Sequence, residues 1–163
     1  MFTLKPIDPD GRIKKRLRPL RVLCGALAAA VAVYAVLSWV LLEGLAMRPL
    51  PSVPEAVPVT FTVLAMILIL LSSRLRTSLL RRAIPSFQGS SLDLERLLDA
   101  YRLATVVSFL VLEGAALFGL LVALLTGTVS YGIFLGAASV AAMLTRWPSE
   151  SEVEHIARGR RSV

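Results

Sequence analysis

The chain has one cysteine (Cys24) and one histidine (His155) among its 163 residues. A single thiol allows no internal disulfide and no thiolate metal centre. A single histidine excludes the HExxH helix, and its place in the tail leaves no Ser–His or Cys–His pair at membrane depth to act as nucleophile and base. There is no P-loop, and no other metal-ligand spacing occurs. Acidic residues are scarce, 11 against 18 Lys and Arg. Lys, Arg and His are absent from all four long apolar runs, so no fixed counter-ion is available inside them. The expectation is a protein that is not an enzyme, with no metal and no cofactor.

Those apolar runs dominate the rest. Apolar residues make up 56 % of the chain and the mean hydropathy is +0.73, which excludes an ordinary soluble core. Segments 22–42, 56–73, 103–125 and 129–144 are each apolar enough to span a bilayer, the last being short. The fold class expected is all-α: an integral membrane four-helix bundle of two antiparallel hairpins. Residues 1–18 read as a disordered basic arm, 19–146 as the membrane domain, and 147–163 as a tail with a short helix.

Charge sets the orientation. Seven basic residues precede the first run, six lie between the second and third, four follow the fourth, and only Arg48 falls on the other side. The positive-inside rule then places both termini and the central loop in the cytoplasm of a bacterial inner membrane. The partner implied by the basicity is a bilayer with anionic headgroups rather than nucleic acid. A secretory signal is not expected, because the first run is too long and no small-residue cleavage site follows it.

Local signals fill in the helices. The second run should continue as a basic helix to Pro85, with an apolar stripe of Leu75, Leu79, Leu80 and Ile84 suited to the membrane interface. A helix from Leu92 to about Arg102, amphipathic through Leu97, Leu98 and Tyr101, should run straight into the third span. Thr126-Gly127-Thr128 is a tight link between spans three and four. Ser149-x-x-Glu152 is a capping box for a short tail helix, with His155 solvated on it. Trp39 and Trp147 fall near span ends as interfacial anchors.

Small residues recur on three spans: Gly25 and Ala29 on the first, Ala115, Gly119 and Ala123 on the third, Gly132 and Gly136 on the fourth. Such rows let helices approach closely in lipid, and they point to self-association or to a place in a membrane complex.

Glu113 is the most informative residue. It lies ~15 Å into its run, near the bilayer midplane, where an ionised carboxylate costs roughly 2.5–3.5 kcal/mol. It should face protein or water, hold a proton or a cation, or touch a partner. Tyr34, Ser38, Thr62 and Ser139 fall at similar depth and could share its proton. Ser38-Trp39-Val40-Leu41-Leu42-Glu43-Gly44 matches Ser108-Phe109-Leu110-Val111-Leu112-Glu113-Gly114 at an offset of 70, as a duplicated hairpin would. The depths differ, since Glu43 should lie near the outer interface and reach water, close to Arg48.

From Leu112-Glu113-Gly114 to Leu125, the third run resembles the ion-binding helix of subunit c, the proteolipid of rotary ATPases. A membrane carboxylate there is followed by small residues, an aromatic-Gly pair and an apolar tail. The match covers one helix of four. It implies that Glu113 binds H⁺ or Na⁺ in an oligomer. The whole chain also looks like a class of small bacterial four-helix membrane proteins, which implies an architecture and no activity. The alternative from the residues alone is an accessory or scaffold protein whose Glu113 is a protonated interhelical hydrogen-bond donor.

Overall fold

The computed structural model describes residues 11–44, 54, 56–83 and 91–157, and these are helical almost throughout, with no strand among them. Five α-helices follow in order: α1 (Arg12–Trp39), α2 (Ala56–Ala83), α3 (Ser91–Thr126), α4 (Val129–Leu144) and α5 (Glu150–Ala157). A π-helical turn, Val40–Gly44, ends α1. Three stretches, Ile13–Gly44, Ala56–Arg82 and Glu95–Thr126, are long and apolar enough to cross a membrane, and Val129–Leu144 is a shorter apolar helix. Bare Val, Leu and Ile side chains cover the outer faces of α1 and α2, as in Val22 (70 % exposed) and Leu70 (71 %). That surface suits hydrocarbon and not water.

Helix α1 begins earlier than its composition suggests. Residues 12–18, expected as part of a disordered arm, are its first two turns. Ile13, Leu17 and Leu20 explain this. They recur at helical spacing among the basic residues and all three are buried in the core. Gly11, with φ of 63°, supplies the left-handed residue that turns the chain into the helix. Pro19 cannot donate to the Lys15 carbonyl but sits on the exposed side, so the buried stripe carries the helix past it.

Helix α3 is the hub. It packs against α2, α4 and α1, while α1 also lies along α4. Helices α1 and α2, consecutive in sequence, hardly touch. The expected first hairpin is therefore not a packed unit, because α2 lies on α3 instead. Phe61 stacks on Phe118 with ring centroids 5.5 Å apart, and buried Ala65 sits in a cluster with Ala115. Only the second hairpin is close, closed by Gly127 at φ 68°.

The apolar stripe at the end of α2 was expected to lie on the membrane interface. It turns inward instead: Leu80 is buried and Leu79 packs on the core with Leu98 and Tyr101 of α3. The first turns of α3 thus pair with the last turns of α2. Ile84, Pro85, the 86–90 turn and Arg48 lie outside the described residues.

The glycine rows also face inward. A Cβ on Gly132 would lie 2.7 Å from the Cβ of Ser38 on α1, and closer still to its Oγ. A Cβ on Gly136 would meet Ala35 of α1 at 3.3 Å, and one on Gly119 would meet the Leu135 Cβ of α4 at 2.8 Å. Ala115 and Ala123 are buried in the same seams. These faces, expected to join copies, are filled within the chain. Ala29 is exposed, and Gly25 meets only the Trp147 ring at ordinary contact distance.

Candidate functional site

Glu113 stands on α3 ~18 Å from Tyr101 towards one end and ~20 Å from Thr126 towards the other, at about 1.5 Å per residue. Tyr34 of α1 lies level with it. The Tyr34 hydroxyl donates to Glu113 Oε1 at 2.8 Å, tying α1 to α3. Both side chains are half-buried, so the pair sits at the edge of the seam and not in its interior.

The other hydroxyls expected near Glu113 are not aimed at it. Ser38 donates to the Tyr34 carbonyl at 2.9 Å, and Thr62 donates to the Pro58 carbonyl at 2.8 Å. Ser139 is buried with its Oγ unpaired among the described residues. Such back-bonding is the ordinary solution for a hydroxyl on a helix facing lipid or packed side chains. The site is therefore one carboxyl and one phenol. A proton needs only one such acceptor, whereas hard cations gather several oxygen ligands.

Glu43, the secondary carboxyl, belongs to the π-helical turn ~13 Å beyond Tyr34. It is exposed and accepts a hydrogen bond from Trp39 Nε1 of its own helix. The two carboxyls of the offset-70 match thus occupy different environments.

A second polar cluster gathers where α1 and α3 begin and α2 and α4 end. The Glu152 backbone N–H donates to Ser149 Oγ at 3.2 Å, forming the cap of α5. Its carboxylate does not return to the cap but reaches across the bundle. Oε2 accepts from Arg76 Nη2 at 2.8 Å and from the Tyr101 hydroxyl at 2.6 Å. The Arg76 guanidinium also lies over the Tyr101 ring, 5.5 Å from its centroid. On the other side of α5, Arg21 donates to the Pro148 carbonyl at 3.1 Å and to Glu150 at 3.3 Å. Val153 and Pro148 are buried beneath the helix. Helix α5 is thereby clamped over the end of the bundle.

Arg146 lies in the same region and bonds no carboxylate among the described residues. Its Nη1 donates to the hydroxyls of Ser72 on α2 and Ser108 on α3. Burial, and then the like charge of Arg76, pull Arg146 below the ordinary arginine value. Sequence reasoning missed this cluster. Arg76 read as one topology charge among many, and Glu152 read as a capping residue. The available signal was the short link after α4, which leaves α5 nowhere to fold except onto the bundle.

No protein-family model, curated protein or solved structure matches this chain, so its function is argued from these contacts alone.

Proposed function

We propose that this is a non-catalytic accessory protein of the bacterial inner membrane, with both ends cytoplasmic and a mid-membrane carboxyl that fastens one helix to another. The observation that carries the reading is the Tyr34–Glu113 hydrogen bond, which joins α1 to α3 midway along both helices. Buried ionisable groups are costly in hydrocarbon, and a partner on the neighbouring helix repays part of that cost. Tyr34 is the donor, so Glu113 accepts here instead of donating. A protonated Glu113 keeps this bond and avoids the cost of an ionised group.

A second reading, the proteolipid-like one, has one observation in its favour. Glu113 is half-exposed and carries a single described hydrogen bond, which leaves it reachable by a proton or sodium ion. A hydrophobic carbodiimide, which reacts with protonated carboxyls, separates the two. Applied to the protein in lipid and mapped by mass spectrometry, it should modify wild-type Glu113 slowly and Tyr34→Phe faster, with no sodium dependence. Glu113→Gln should keep an acceptor for Tyr34 and lose no more than about 1 kcal/mol of stability. Rapid modification that sodium suppresses would overturn the fastening role and favour ion binding.

A further inference from the structure

A groove of about 500 Å³ runs along α2 at the basic end, lined by Ser73, Arg74, Thr77, Ser78, Arg81 and Arg82. None of these three arginines bonds a carboxylate among the described residues. The positive charge of the groove is therefore uncompensated within them.

The same face of the helix continues beyond the groove with a different chemistry. Val59, Val63, Ile67 and Leu70 recur at spacings of four, four and three, and each is at least half exposed. Arg74, Ser78 and Arg81 extend that face at spacings of four, four and three. One continuous stripe thus changes from apolar to basic in a single step between Leu70 and Arg74. The apolar part rises ~16 Å, about half the ~30 Å hydrocarbon thickness and so one leaflet deep. Free phosphate or a nucleic acid would use the arginines and leave the stripe unused. An amphiphile with a negative head matches both. Helix α1 repeats the design at the same end, where Lys14, Lys15 and Arg18 line a groove of about 580 Å³ that reaches exposed Val22.

We infer that this face of α2 seats an anionic phospholipid, its acyl chain along 59–70 and its phosphate among Arg74, Ser78 and Arg81. The inference rests on the reading of the chain as membrane-embedded. Basic pockets beside spanning helices hold phosphate headgroups through such unpaired guanidinium groups.

Native mass spectrometry of the full-length protein in neutral detergent tests it. Phosphatidylglycerol and phosphatidylcholine are added at equal concentration, with inorganic phosphate as competitor. Phosphatidylglycerol adducts should dominate and resist inorganic phosphate. The double variant Arg74→Gln/Arg81→Gln should weaken them about 25-fold, at roughly fivefold per arginine. Arg102→Gln, exposed on α3 outside both grooves, should leave them unchanged. Equal loss in Arg102→Gln would mean diffuse surface charge and would overturn the site. Competition by inorganic phosphate would mean a free-anion site and would overturn the lipid assignment. Carbonate extraction of membranes keeps the two premises apart. A protein released to the supernatant defeats the membrane reading and the lipid seat with it. A protein that stays in the pellet but shows no phosphatidylglycerol preference defeats the lipid seat alone.

Discussion

Gly132→Val should unseat α4 from α1 and give the largest stability loss of any single substitution in the spanning helices. A Cβ at this position falls 2.7 Å from the Ser38 Cβ and within contact of the Ala123 Cβ at 3.4 Å. Rotating the Ser38 hydroxyl cannot relieve a clash with its own Cβ, so the helices must separate. Overpacking of this kind costs about 1–3 kcal/mol for small additions, and valine adds two further methyl groups. Separation would also release Ser38 and Ala35 from the seam they share with Gly132 and Gly136. Thermal unfolding in detergent micelles, followed by circular dichroism, should show a clear fall for Gly132→Ala and a larger one for Gly132→Val.

Two controls fix the sign. Gly114→Ala has nothing within 4 Å of the new methyl, and removing a helical glycine should stabilise it by roughly 0.5–1 kcal/mol. Ser38→Gly combined with Gly132→Ala exchanges the small residue between the two helices and should recover most of the loss. An unchanged midpoint for Gly132→Val would show that α4 does not pack on α1 at this register.

The glycine seams also show where sequence reasoning stopped. A row such as Gly132-x-x-x-Gly136 announces a close helix approach, and the structure has one. The row does not say whether the approaching helix belongs to the same chain, because the steric requirement is identical in both cases. Local features were legible for a similar physical reason. Pattern and punctuation fix the bounds of α4, the glycine turn before it, the uninterrupted run of α3 and the cap of α5. Depth was legible too, since counting residues at a fixed rise puts Tyr34 level with Glu113 across 79 residues of chain. The choice of neighbours was not. Nothing local tells α2 to lie on α3 and not on α1, and the Arg76–Glu152 pair spans 76 residues without any shared motif. Residues 12–18 were a different failure. Their charge hid the Ile13, Leu17, Leu20 spacing that buries one face of the helix.

Glu152→Ala should release α5 and destabilise the basic end of the bundle, because two groups on two other helices depend on one oxygen. Without Glu152 Oε2, Arg76 loses its counter-charge and Tyr101 its acceptor. The Arg76 side chain is only 12 % exposed, and its Nε is already unpaired among the described residues, so water cannot readily replace the carboxylate. Breaking a fully buried pair costs about 3–5 kcal/mol. Glu152 is 28 % exposed, which lowers the expectation here to roughly 1.5–3 kcal/mol, the range for a charged hydrogen bond. The loss also leaves Arg76 and Arg146 as like charges in one region with no carboxylate between them. Limited proteolysis should cut the tail faster, and hydrogen exchange across Glu150–Ala157 should rise. Glu152→Gln, which retains an acceptor but not the charge, should lie between wild type and Glu152→Ala. Arg76→Met and Glu152→Leu combined with Tyr101→Phe should recover stability, since the three apolar side chains need no partner. If Glu152→Ala left both proteolysis and the midpoint unchanged, the Glu152 contacts would carry no stability and α5 would rest on Val153, Pro148 and the Arg21 bonds.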